Sequence, residues 1–222
     1  MKTMDAWTEN DRYILENLIE EDSALKNALA VSRENNLPEM EVSPTQGKFL
    51  YILARIRNAR RILELGTLGG YSTIWLAKAI SSDGIVISLE YSETYAAIAW
   101  KNIEYAGLSD KVKILQGAAI DSLNRLIAEK EEPFDMIFID ADKPNNPSYF
   151  ELSLRLAKSG TVIYADNMIR DGELCNANNP DPKVKGVRAL VEDLGKSKTV
   201  ESTALQTVGM KGYDGFSISV VR

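Results

Sequence analysis

The chain has 222 residues, a formal net charge of −6, no histidine and a single cysteine, Cys175. Its length suits one sizeable domain with a full core, and its acidic balance counts against a general nucleic-acid surface. The missing histidines exclude Ser-His-Asp chemistry and an ordinary catalytic zinc site, and one thiol can make neither an internal disulfide nor a thiolate cluster. Acid–base work therefore falls to Lys, Asp, Glu, Tyr or Cys. Any metal is held mainly through oxygen, which selects the magnesium, calcium and manganese class.

The N-terminal stretch MKTMDAWTEN has no apolar signal region and no apolar run approaches 18 residues, so the expectation is a soluble cytoplasmic protein. The first 35 residues read as helical, with Ile14, Leu18, Leu25 and Leu29 near one face and a cap for a second helix at Asp22-Ser23. VSPTQGKFL then starts another helix, with Ser43 at the N-cap, Pro44 at N1 and Gln46 at N3 in a capping-box pattern. Phe49, Leu50, Leu53 and Ile56 form its apolar stripe. No repeat or low-complexity segment interrupts the chain.

From residue 61 short apolar strands alternate with helices. RILEL precedes a helix over Tyr71–Ile80, and IVISLE precedes one over Ser92–Tyr105 that Gly107 closes. VKILQ leads into a helix near Ala119–Lys130, FDMIFID into one that ends before KSG, and TVIYAD is the fifth strand. A loop, CNANNPDP, and a helix around Lys185–Leu194 follow. Two β-rich runs, TVESTALQTVG and GFSISVVR, end the chain, with YDG as the turn signal between them. The pattern predicts an α/β fold: a mostly parallel sheet with helices on both faces and an antiparallel C-terminal hairpin.

The strand ends are acidic. The first closes on Glu64-Leu65-Gly66, the second on Glu90, the fourth on Asp140 and the fifth on Asp166. In an open parallel sheet these ends share one edge, where ligands bind. A single acidic strand end is usually a solvated surface; four along one edge predict a cleft. The turn ELGTLGGYS is not a G-x-G-x-x-G fingerprint and taken alone is a tight turn with packing glycines. Glu90, 24 residues past Gly66, is placed to accept hydrogen bonds from a ribose. Together they indicate a nucleoside-bearing cofactor without a pyrophosphate. Asp140, Asp166 and Asn167 offer three oxygen ligands from adjacent strand ends, suited to a hard divalent cation. Read separately, Asp140 would cap a helix and Asp166-Asn167 would form a turn. Lys143, three residues past Asp140, is the leading candidate for a base. Asp142 receives no role beyond solvation or capping.

At ELGTLGGYS, FIDADK and ADN, preceded by VSPTQG, the sequence resembles the cation-dependent O-methyltransferases of the catechol and caffeoyl-CoA kind, over essentially the whole chain. The D-A-D-K and D-N combination is specific to that family, whereas the glycine turn is common to many S-adenosylmethionine enzymes. The resemblance implies a Rossmann-like seven-stranded sheet over a single domain, with residues 43–222 as the α/β core and residues 1–42 covering the substrate. It implies that Glu64, Gly66, Thr67 and Ser72 hold the methionine end of S-adenosylmethionine with the backbone at Val42. Glu90 would then take the ribose and Ala119 the adenine, while Asp140 serves both cofactor and metal. Asp140, Asp166 and Asn167 hold magnesium, or calcium or manganese, and Lys143 takes the phenolic proton. The implied acceptor is a vicinal dihydroxy aromatic (catechol, phenylpropanoid or flavonoid), the implied assembly a homodimer. Alternatives are a hydroxylated base in tRNA as acceptor, a nicotinamide-dependent oxidoreductase, and a cofactor-binding protein without catalysis. Two departures from the family, Arg170 in DNMIRDG and Asn146 in DADKPNNPSY, fall on the substrate side.

Overall fold

A computed structural model describes residues 4–222. In chain order the elements are α1 (Met4–Leu18), α2 (Ser23–Glu34), α3 (Pro44–Ile56), β1 (Arg61–Leu65), α4 (Tyr71–Ala79), β2 (Ile85–Glu90), α5 (Glu93–Tyr105) and β3 (Val112–Gln116). There follow α6 (Ala119–Ala128), β4 (Phe134–Ile139), α7 (Asn146–Arg155), β5 (Ala157–Asp166), α8 (Pro182–Lys196), β6 (Val200–Gly209) and β7 (Gly212–Val221). The sheet runs β3-β2-β1-β4-β5-β7-β6; β7 is antiparallel to β5 and to β6, and the other pairs are parallel. This is the seven-stranded α/β architecture with a terminal antiparallel hairpin that the sequence pattern predicts.

Alternation along the central strands divides the core into two layers. Ile62, Met136, Phe138 and Tyr164 face one layer, with Leu50, Ile74 and Trp75 of α3 and α4. Leu63, Leu65, Ile137, Ile139 and Ile163 face the other, with Leu123, Phe150 and Leu190 of α6, α7 and α8. The chain leaves β1 toward β2 and β3 and then returns to place β4 on β1's other side. The β1–β4 pair is therefore the switch point of the sheet, where the loops after adjacent strands separate and leave a crevice. None of the helices in the described residues is long and apolar enough to cross a membrane.

Four local expectations are corrected. The hairpin turn is Met210-Lys211, between Gly209 and Gly212, whereas Tyr213, Asp214 and Gly215 lie inside β7. Asp214 is committed elsewhere: its Oδ1 accepts the backbone N–H groups of Ile169 and Arg170 at 2.8 and 3.0 Å. The apolar stripe of α3 is shifted: Leu50 and Ala54 are buried but Ile56 is 74% exposed, and on α1 Leu18 is 70% exposed. The capping box does not close, because Ser43 Oγ accepts from Gln46 N at 3.2 Å while the Gln46 amide turns to β5. Finally, β5 begins at Ala157 and α8 covers Pro182–Lys196, both longer than the predicted segments, because flanking apolar positions find tertiary partners.

Candidate active site

The glycine turn and Glu90 form one unit. Glu90 Oε2 accepts the backbone N–H of Thr67 at 3.2 Å and of Leu68 at 2.8 Å, and Oε1 accepts that of Ser92 at 2.8 Å. Leu68 has φ +50°, a left-handed conformation that costs a branched side chain energy and here is held by Glu90. Gly66, at φ +99°, comes so close to the β4 loop that a Cβ would lie 2.2 Å from the Asp140 carbonyl oxygen. That approach is the crevice floor at the switch point, and only glycine fits it.

Under this floor lies Glu64, which is 0% exposed. It accepts hydrogen bonds from Ser72 Oγ and Ser88 Oγ, both at 2.6 Å, and from Thr73. Burial pushes its carboxyl up to about 7 even though these three hydroxyls favour the ionised form. Across the switch point, Lys143 is buried and donates from Nζ to Asp140 Oδ1 at 2.8 Å. Asp166, 6% exposed, accepts from Gln46 Nε2 at 2.7 Å. Burial, and then the charge of Asp140, push the Asp166 carboxyl up to about 7, and Lys143 opposes them. Asn167 follows in the left-handed region at φ +55°, which Asn tolerates better than most residues.

A cavity of about 690 Å³ opens over these groups. Of the residues singled out in the sequence, Val42, Gly66, Thr67, Ser72, Glu90, Ala119, Asp140, Lys143 and Asn167 line it. Glu64 and Asp166 do not; they stand behind the wall. The hydroxyls of Ser72 and Thr67 are turned to Glu64 and to Ser88 respectively, the latter pair at 2.6 Å. Tyr149 and Arg170 also reach the cavity wall, whereas Asn146 is 1% exposed and buried away from it.

The chain matches known proteins along nearly its whole length. The sequence model of the O-methyltransferase family matches residues 15–216. The chain belongs to this O-methyltransferase family. The methyltransferase is 50% identical over 212 residues to a catechol O-methyltransferase of Niastella koreensis, covering 96% of each chain. It superposes with TM-score 0.97 on an O-methyltransferase from Bacillus cereus in complex with SAH, at 53% identity and covering 99% of this chain and 100% of that one. A third relative, the O-methyltransferase TomG from Streptomyces achromogenes in complex with SAM, gives TM-score 0.96 at 42% identity, covering 100% and 99%. Family membership sets aside the nicotinamide reading.

The donor set fits a hard divalent cation. Two carboxylates and an amide converge from adjacent strand ends, and the mutual repulsion that raises Asp166 is what a bound cation would relieve. Among the described residues no group of three His, Cys, Asp or Glu side chains gathers to hold a metal. Beside the two carboxylates stands the amide of Asn167, whose Nδ2 lies 3.4 Å from Asp166 Oδ2. Sequence reasoning missed Gln46, which ties Asp166 to Tyr164 with bonds of 2.7 and 3.2 Å; it stands 120 positions from Asp166 and carried only a helix-start signal. It also missed Ser88 and Thr73, polar residues inside apolar segments whose reason is the Glu64 carboxylate.

Proposed function

We propose that this methyltransferase moves the methyl group of S-adenosylmethionine to a hydroxyl of a vicinal dihydroxy aromatic of the catechol, phenylpropanoid or flavonoid kind. In this reading Asp140, Asp166 and Asn167 hold a divalent cation of the magnesium class. The supporting observation is that the Glu90-held glycine turn, Asp140, Asn167 and Lys143 line one cavity. The complexes of the Bacillus and Streptomyces relatives support the cofactor, and the name of the Niastella relative supports the acceptor. When bound, S-adenosylmethionine supplies an electrophilic sulfonium methyl and the cation supplies charge that favours phenolate over phenol. That help is needed, because a phenol with a pKa of about 10 is ionised to roughly one part in a thousand at pH 7.

The chain's own groups do the rest. Glu90 retains acceptor capacity for ribose hydroxyls after its three backbone bonds. Gly66, Thr67, Ser72 and the Val42 backbone, all on the cavity wall, would hold the methionine end, and Ala119 would adjoin the adenine. Glu64 acts from behind the wall by fixing Ser72. Lys143, having first released a proton from its ammonium to solvent, would take the proton of the acceptor hydroxyl, and the acceptor oxygen would form the O–CH3 bond as the C–S bond breaks. Holding these atoms in line supplies much of the acceleration. Of the segment 1–42, residues 1–3 lie outside the described residues; residues 4–42 would cover the acceptor end, since Ser32 and Met40 reach the cavity and Asp11 ties α1 to the hairpin by accepting from Met210 N at 2.7 Å. Exposed Phe49, Ile52 and Ile56 on α3 support assembly as a homodimer.

Treatment with EDTA is expected to abolish methyl transfer to catechol, and magnesium to restore it. Asp166→Ala should lower turnover by roughly a hundredfold or more, since cation stabilisation is worth several kcal/mol. Undiminished turnover in metal-free buffer overturns the cation role.

A further inference from the structure

The cavity carries two cations that the reaction above leaves unused. Arg170, in the loop after β5, and Lys183, in the first turn of α8, line it together with Lys143. Arg170 has φ +53° and is pinned there by Asp214, whose Oδ1 accepts the backbone N–H of Ile169, Arg170 and Gly215 at 2.8, 3.0 and 2.9 Å. The guanidinium itself reaches only Oδ2, at 3.9 Å, beyond hydrogen-bond length. Its Nε is buried with no partner. A buried donor left unpaired on a permanent cation is costly, and the side chain as a whole keeps 26% exposure on the cavity wall, so its terminal N–H groups are open to an acceptor there.

Lys183, exposed at the start of α8, adds a second charge to the same cavity. One turn further along α8, Gly186 packs on the Lys143 backbone so tightly that a Cβ would lie 2.0 Å from the Lys143 carbonyl oxygen. Arg188 of the same helix donates to the Leu174 carbonyl at 2.6 Å, fixing α8 to the Arg170 loop. Among the described residues Lys183 makes no ion pair, unlike Lys143, Lys158, Lys196 and Lys211. The nearby acids of the cavity are engaged elsewhere: Asp140 with Lys143 at 2.8 Å, Glu41 with Lys211 at 3.1 Å, and Asp142 with the Tyr149 hydroxyl and Asn145.

We propose that Arg170 and Lys183 form an anion subsite that selects acceptors bearing a carboxylate on the ring or on a short chain from it. The dihydroxybenzoate and dihydroxycinnamate class is then preferred over neutral or cationic catechols. This rests on the acceptor class proposed above. The planar fork of Arg170 matches a carboxylate, and Lys183 contributes a mobile point charge.

The test compares kcat/KM for 3,4-dihydroxybenzoate, catechol and dopamine in the wild type and in Arg170→Gln, Lys183→Gln and Lys185→Gln. The wild type should favour dihydroxybenzoate over dopamine. Each of the first two substitutions should lower the benzoate-to-catechol ratio roughly tenfold, mainly through KM, the worth of one charge-assisted hydrogen bond. Lys185→Gln, exposed on α8 and outside the cavity, should leave the ratio in place. Turnover of catechol with no carboxylate preference, or a ratio unmoved in Lys183→Gln, overturns the subsite while the reaction assignment stands. No turnover of any of the three overturns the assignment and the subsite with it. Should Arg170→Gln fail to fold, Lys183→Gln decides alone.

Discussion

Glu90 and Asp166, at the ends of parallel strands, are 8% and 6% exposed, and each is held by donors from another element. Glu201, on the outer strand of the hairpin, meets Arg222 at 3.4 Å in open solvent. Both regions place carboxylates on β-structure, but the parallel rim drives Glu90 and Asp166 under cover while the outer strand β6 leaves Glu201 in solvent. In the parallel region every strand ends at one edge, so loops and helix starts converge there and exclude water. The hairpin reverses direction and leaves its outer strand bare. Burial at the rim pushes the Asp166 carboxyl up, whereas Glu201 on the outer strand stays in solvent.

The largest effect should come from the crevice floor. Gly66→Ala forces a Cβ against the Asp140 carbonyl at a positive φ, and is expected to cost more than about 3 kcal/mol in urea unfolding. A cost below about 1 kcal/mol would mean that the β1 and β4 loops are free to separate.

Next is the pH dependence of Glu64. Its carboxyl rises from 4.5 to about 7 on folding, so the folded state binds the proton more tightly than the unfolded chain. The associated stability is fully present below pH 4.5 and lost as pH rises through about 7. At about 1.4 kcal/mol per pKa unit this amounts to about 3 kcal/mol. Glu64→Gln should flatten that part of a metal-free stability–pH profile, leaving the similarly signed share of Asp166. An unchanged profile would place Glu64 with the solvated hairpin acids.

A smaller effect is expected at Gln46. Its amide lowers the Asp166 carboxyl against burial. Gln46→Ala should cost about 1–2 kcal/mol at neutral pH and move the acidic limb of activity upward. A limb that stays put would show that the amide does not tune the carboxylate. The smallest change belongs to the hairpin: Glu201→Ala should alter stability by less than about 0.5 kcal/mol in thermal unfolding. A larger loss would mean that the outer strand is covered in solution.

Much of this molecule was legible from residue order. Strand–helix alternation gave the layer architecture, because the period of apolar residues is a local property that burial imposes directly. The acids at the strand ends, with histidine absent, point by themselves to an oxygen-lined edge. Misreadings occurred where a residue has two possible partners. Gln46 fitted a capping box by spacing but found Asp166, and YDG fitted a turn by composition but lies in β7 because Asp214 binds the Arg170 loop.

What the sequence determined by itself was the menu: which strands end in charge and which chemistry the chain lacks. Only the tertiary structure decided which charge faces the cavity. Glu64 shares a strand face with Ile62 and so is buried under α4, whereas Glu90, at the end of β2, reaches the turn. Lys183 reaches the cavity that Arg170 lines because α8 packs on the Lys143 loop. The reason is range: periodicity is fixed by neighbours along the chain, but a site is assembled from contacts between segments far apart in it, which no local pattern encodes.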